Sequence, residues 1–186
     1  MNIRREWAMS SADTFSIPVV RGFIERIIDE HGCSVGVDPF VRYSPFKHLC
    51  RWTNDLNPSI DAGSHCEAFD FLSGLDSQCC DLVFFDPPFS PRQITESYAS
   101  FGMVANQKDT SAAFYGDRKR ECARILSVGG VAISCGWNSN GLGKSNGMML
   151  ADVLMVAHGG WKNDTIVTVE KKVAHQDGLF CVTGSE

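Results

Sequence analysis

The segment Val83-Phe84-Phe85-Asp86-Pro87-Pro88-Phe89 is an apolar run that stops at an acid, two prolines and an aromatic ring. Proline lacks an amide N–H and fixes φ at about −65°, so the Pro87 carbonyl can point out of a strand end as a pure acceptor beside the Asp86 carboxylate. Two acceptors side by side match the two N–H donors of a primary amine. Accepting both protons turns the lone pair of an aromatic amine out of conjugation and toward a methyl sulfonium, while Phe89 stacks on the ring. N-methylation of adenine or cytosine requires this. Taken alone, the same residues also read as a strand followed by a Pro-Pro turn, with Asp86 as a turn or capping residue.

Further acids precede it at strand-like intervals. Val35-Gly36-Val37-Asp38-Pro39-Phe40 is a short apolar run ended by D-P-F. Trp52-Thr53-Asn54-Asp55-Leu56-Asn57-Pro58 places Asp55 17 residues after Asp38, at the end of the next run, where an acid can accept both hydroxyls of a ribose. In Cys66-Glu67-Ala68-Phe69-Asp70-Phe71-Leu72, both Glu67 and Asp70 are candidate ligands, and either also suits a helix cap. Thr14-Phe15-Ser16-Ile17-Pro18 opens an amphipathic stretch.

These residues need a frame of strands and helices to bring them together. Phe15, Val19, Phe23 and Ile27 recur at helical spacing, which predicts a helix over about 18–30, ended near His31-Gly32. Apolar runs at 34–37, 49–53, 81–85, 130–135 and 165–169 predict buried strands, with a weaker one around 62–69. Helices are expected at 112–126, with Arg118 to Glu121 on the polar side, and at 148–158. Alternating strands and helices imply a mostly parallel α/β sheet, whose ligands sit beyond the carboxyl ends of the strands. The polar stretches 90–111 and 138–147 follow strands and are read as loops on the rim of such a site.

With 186 residues, 44% hydrophobic and 21% charged, the chain suits a single domain over 1–186, with its core at about 14–172. A net charge of −5 excludes a protein that coats nucleic acid through many basic contacts, so any DNA contact is expected to be local. No window reaches the ~18 apolar residues of a membrane span and no signal peptide is visible, which points to the cytoplasm. The eight cysteines are read as reduced thiols, and no C-x-x-C or H-x-x-x-H spacing supports a metal site.

Together these motifs resemble the amino-methyltransferases that use S-adenosylmethionine, especially small adenine-specific DNA methyltransferases of phages and prophages, over about residues 7–172. The resemblance implies a Rossmann-like class I methyltransferase fold, doubly wound and mostly parallel, with an antiparallel C-terminal strand. It implies that Thr14, Phe15, Asp38, Pro39, Phe40, Asp55, Leu56, Glu67 and Ala68 hold S-adenosylmethionine, and that Asp86, Pro87, Pro88 and Phe89 are catalytic. Glu67 stands where the family meets the adenine amine of the cofactor. Val41-Arg42-Tyr43-Ser44 stands where the family carries a small-Gly-x-Gly loop. The implied role is DNA modification in a bacterial host, including restriction-modification.

Arg92, Lys108 and Lys144 are candidate phosphate contacts, and Tyr98, Phe101, Trp137 and Asn138 candidate substrate contacts, although solvated loop charges and core aromatics are the plainer reading. Gly141-Leu142-Gly143-Lys144-Ser145 lacks the first glycine of a phosphate loop, because Asn138 occupies it. His158 is read as structural, since methyl transfer to an amine needs no strong base before attack. Adenine N6 in DNA is the first expectation. Cytosine N4, the guanine N2 of ribosomal RNA and a non-catalytic binding module are the alternatives. With few residues to form a recognition domain, the loops, a homo-oligomer or a helper subunit would select the target.

Overall fold

Pro18 occupies the first turn of helix α1 (Pro18–His31), where its missing N–H costs nothing, and Gly32 ends the helix at φ 61°. The buried face of α1 carries Val20, Phe23, Ile24 and Ile27, as its periodicity predicts. This computed structural model describes residues 1–88, 90–100, 102, 112–160 and 162–174. The other elements are β1 (Asn2–Trp7), β2 (Gly36–Asp38), β3 (Cys50–Thr53), α2 (Ala68–Ser73), β4 (Cys80–Phe85), α3 (Pro91–Ser100), α4 (Ala112–Ile125), β5 (Leu126–Gly136), β6 (Met148–Ala157) and β7 (Thr165–Lys172).

The strands form one seven-stranded sheet in the order β1-β6-β7-β5-β4-β2-β3. Only β7 runs against its neighbours β5 and β6; the other pairings are parallel. The antiparallel C-terminal strand and the mostly parallel sheet match the expectation. On β4 the side chains alternate between two cores. Leu82 and Phe84 pack with α1, while Val83 and Phe85 pack with Leu72 of α2 and Cys122 and Ile125 of α4. Burial on both faces explains why β4 reads as an unbroken apolar run.

Four expectations need correction. Residues 148–158 form strand β6, not a helix. This strand lies between β1 and β7, and its Val153, Leu154 and Val156 are buried, so its apolar run has no single-face period to separate strand from helix. Residues 91–100, expected as loop, form α3. Ser90 Oγ accepts the Gln93 N–H at 3.2 Å, and Pro91 follows as the first helical residue, an N-terminal signature overlooked among polar neighbours. The weak strand at 62–69 reduces to one parallel bridge between Asn54 and Ser64, followed by α2. Arg118, assigned to a polar face, is 7% exposed.

Strand β1 was not foreseen at all, because its six residues are exposed and mostly polar. The crossing from β5 to β6 contains no α-helix, only a 3-10 turn at Lys144–Asn146. Leu142 plugs that crossing into the core, where Glu170 Oε2 accepts the Leu142 N–H at 2.5 Å and Oε1 the Gly143 N–H at 3.0 Å. Among the described residues, no helix is long and apolar enough to cross a membrane.

Candidate active site

Strands β2, β3 and β4 end side by side, at Asp38, Thr53 and Phe85. The loops beyond them, the Thr14–Ser16 turn and one face of α3 enclose a cleft of about 490 Å³. It is lined by Thr14, Phe15, Pro39, Phe40, Asp55, Leu56, Glu67, Ala68, Asp86, Pro87, Pro88 and Tyr98. Asp38 lies beneath it, fully buried. Phe89, Phe101 and Lys108 lie outside the described residues.

Asp86 leaves the sheet at the end of β4 with its Oδ1 buried and unpartnered. Burial pushes its carboxyl up to about 7, against the pull of the Thr14 hydroxyl bonded to it and the charge of Arg42. Pro87 is buried, and the Pro88 carbonyl accepts the Tyr115 hydroxyl at 2.5 Å, which pins the backbone after Asp86 to α4. Phe15 belongs chiefly to the core, with its ring centroid 5.4 Å from that of Phe84. Thr14 therefore faces the acid while Phe15 anchors the turn.

Asp38 Oδ1 accepts the Phe40 N–H at 2.9 Å, and its Oδ2 is buried without a partner. Burial pushes this carboxyl up to about 8, offset by that hydrogen bond and reinforced by the charges of Asp86 and Asp55. Asn54, which the sequence reading missed, joins three segments. Its Nδ2 donates to the Pro39 and Cys66 carbonyls at 3.3 and 3.0 Å, and its Oδ1 accepts the Cys66 N–H at 3.1 Å. Asp55 Oδ2 accepts the Arg42 N–H at 3.0 Å and Oδ1 the Asn57 N–H at 2.8 Å, so each oxygen keeps a lone pair for a further donor.

Arg42 is a second residue that the sequence reading missed. Its φ of 39° lies in the left-handed region that a glycine would fill without strain. The loop thus keeps a glycine-like bend with a side chain in place. Arg42 Nη1 donates to the Ala12 carbonyl at 3.2 Å and Nε pairs with Asp13 at 3.2 Å, fastening the loop to the segment before Thr14.

Glu67 is held by two partners. Tyr98 donates its hydroxyl to Oε1, and Arg118 of α4 donates to Oε2. Tyr98, expected to face a substrate base, lines the cleft and joins α3 to the acid expected to face the cofactor. Ile94 and Tyr98 pack with Leu56 and Tyr115, so α3 lies across the cleft.

The remaining candidates stand apart. Arg92 is exposed and pairs with Glu96 at 2.7 Å, pointing along the helix surface. Trp137 and Asn138 are exposed just beyond the cleft end of β5, where Asn138 Oδ1 accepts the Asn140 N–H at 3.0 Å. Lys144 precedes β6, which starts at the opposite end of the sheet: Met148 pairs with Lys172, whose neighbour Lys171 pairs with Val131. No described part of the cleft reaches Lys144. His158 is satisfied structurally, with Nδ1 2.9 Å from the Ala8 carbonyl and Nε2 2.8 Å from Thr165 Oγ1.

No protein-family model and no curated protein matches this chain. Solved structures do match in fold. TrmN from Thermus thermophilus superposes with a TM-score of 0.56 at 17% identity, over 84% of this chain and 49% of its own. The chain thus spans about half the length of that protein. The 1,6-didemethyltoxoflavin-N1-methyltransferase of Burkholderia thailandensis, solved with bound 1,6-didemethyltoxoflavin and S-adenosylhomocysteine, gives a TM-score of 0.54 at 12% identity over 83% of this chain and 78% of its own. The fold is that of the class I methyltransferases. The N-methyltransferase NodS from Bradyrhizobium japonicum WM9 gives 0.54 at 7% identity, over 83% of this chain and 94% of its own. The cleft lies beyond the carboxyl ends of β2, β3 and β4, the place where open α/β sheets generally bind ligands.

Proposed function

We propose that the protein transfers a methyl group from S-adenosylmethionine to the exocyclic amine of a DNA base, adenine N6 first. The observation that carries this reading is the buried, unpartnered Asp86 Oδ1 at the mouth of β4, in the same cleft as Asp55. A buried polar atom without a partner costs free energy unless a ligand satisfies it. An amine N–H does so.

The residues fit the cofactor as well. Asp55 retains a lone pair on each oxygen for the ribose hydroxyls, and Glu67, lining the same cleft, would accept the adenine amine. Arg42 holds the loop that would face the amino-acid end. The bound cofactor supplies an electrophilic methyl on a sulfonium.

Asp86 accepts a hydrogen bond from one N–H of the target amine, and the Pro87 carbonyl accepts one from the other. Ionised Asp86 would thereby orient the nitrogen lone pair toward the sulfonium methyl that the bound cofactor would supply for in-line transfer, with S-adenosylhomocysteine as the leaving group. The surplus proton on nitrogen passes to Asp86 or to water. Thr14 keeps Asp86 in place through its hydroxyl. A base must leave the duplex stack to reach this cleft.

The test is incubation of the protein with isotope-labelled S-adenosylmethionine and duplex DNA, then nucleoside mass spectrometry. N6-methyladenine from wild type and none from Asp86→Ala is the expected result. N4-methylcytosine, or methylguanine from ribosomal RNA, would redirect the substrate assignment. No labelled nucleoside from DNA or RNA would overturn it.

A further inference from the structure

Strand β1 packs against β6 on one edge and exposes everything else. Its hydrogen-bonded register runs from Asn2 opposite Asp152 to Trp7 opposite Ala157, extended by the Ala8 N–H to the Ala157 carbonyl at 3.1 Å. Among the described residues no strand lies outside it. All six of its residues are exposed, Ile3 at 62% and Trp7 at 63%. Sheets usually blunt such an edge with proline, a bulge or charged side chains, and charges of both signs repel a second copy less than charges of one sign. β1 has no proline, no bulge against β6, and charges of both signs.

We propose that β1 pairs antiparallel with β1 of a second copy, joining two sheets into one across a twofold axis at Arg5. Backbone geometry restricts the register. Alternate residues of a strand direct their N–H and C=O groups to the same edge, so a symmetric antiparallel pair must be centred on a residue and not between two. Any such centre opposes one residue to its own copy, but centring on Arg4 sets Ile3 against Arg5 and Asn2 against Glu6, and centring on Glu6 sets Arg5 against Trp7 and Arg4 against Ala8, with no cross-strand ion pair in either. Centring on Arg5 sets each Arg4 against Glu6 of the second copy and each Ile3 against its Trp7. Opposite charges and aromatic–β-branched pairs are the favourable cross-strand combinations.

The faces agree with this register. Arg4 and Glu6 share the side of Leu154 and Val156, whereas Ile3, Arg5 and Trp7 share the side of Val153, Met155 and Ala157. The two Arg5 side chains meet on the latter face, where they are exposed and can splay into water. Three strands separate β1 from β4, so the interface lies roughly 19 Å from the cleft wall at ~4.8 Å per strand step. Dimerisation and methyl transfer are therefore separable.

Sedimentation equilibrium of the full chain over micromolar concentrations tests the proposal by charge exchange. Wild type should dimerise. Arg4→Glu and Glu6→Arg should each weaken the dimer at least about tenfold, because each places like charges opposite one another twice. The double variant Arg4→Glu/Glu6→Arg should return to within about threefold of wild type. A wild type that stays monomeric at ~100 μM would overturn the proposal, as would singles that dimerise like wild type or a double variant no tighter than the singles. Because these side chains are solvent-exposed, circular dichroism should be unchanged in all three variants.

Discussion

The main-chain N–H of Arg42 donates to Asp55 Oδ2 at 3.0 Å, tying the loop after β2 to the end of β3. That bond holds a non-glycine residue at φ 39°, a conformation that costs on the order of 1 kcal/mol. Arg42→Gly removes the strain but frees the unfolded chain and drops the contacts to Ala12 and Asp13. Its stability in urea should shift by less than about 1 kcal/mol, with cofactor affinity largely kept. Arg42→Val puts a β-branched side chain into the same bend and should cost about 2 kcal/mol.

Asp86 must be ionised to accept an amine proton, and its carboxyl is raised to about 7 by burial. It is neutral below that value and charged above it, so kcat should climb as pH rises through about 7. Asp86→Asn should lower kcat by about 10²-fold and remove that rise. A pH–rate profile flat across this window would detach Asp86 from catalysis.

The same two buried acids set a stability profile. Asp38 is pushed up to about 8 and Asp86 to about 7, both above the ordinary carboxylate value. For a raised acid the native state holds the proton longer than the unfolded chain, so its contribution is complete below the unfolded pKa and is lost as pH rises through the folded one. The urea midpoint should therefore fall from about pH 5 to about pH 9. Asp38→Asn should flatten part of that fall, because an amide cannot ionise.

Gly141, at φ 50°, leaves room for the buried Glu170 carboxylate that accepts the Leu142 and Gly143 N–H groups. A Cβ at this position would collide with Glu170 Oε2. Gly141→Ala should cost about 2–3 kcal/mol in urea unfolding, since it adds backbone strain and unseats Leu142 from the core. A loss under about 1 kcal/mol would mean that the crossing from β5 to β6 moves freely.

The sheet and the acids were legible where one physical signal dominated. α1 has a single apolar face, and β4 is a buried run ended by Asp86 and two prolines. β6 was misread because burial across both faces erases the period that separates strand from helix. β1 was invisible because exposed edge residues carry no apolar pattern. Asp55 stood out as an acid after a strand and Glu67 as an acid at a helix start, but Arg42, Asn54 and Arg118 act through contacts 12 to 51 residues away. Their local sequence holds no trace of those partners, apart from the Asn54-Asp55 pair at a strand end.

Tyr98 and Glu67 offer the sharpest test of how the cleft would receive the proposed cofactor. In the free protein Glu67 accepts hydrogen bonds from Tyr98 and Arg118, so an adenine amine approaching Oε1 competes with the Tyr98 hydroxyl. Tyr98→Phe keeps the ring that packs with Ile94 and Leu56 and removes only the competing donor. One net hydrogen bond is worth roughly 1 kcal/mol, so S-adenosylhomocysteine should bind about fivefold tighter by calorimetry. Glu67→Gln should weaken binding by a similar factor, because the amide is a poorer acceptor than the carboxylate. If Tyr98→Phe binds the ligand more weakly than wild type, the adenine does not approach Glu67, and α3 holds the cofactor in place of competing with it.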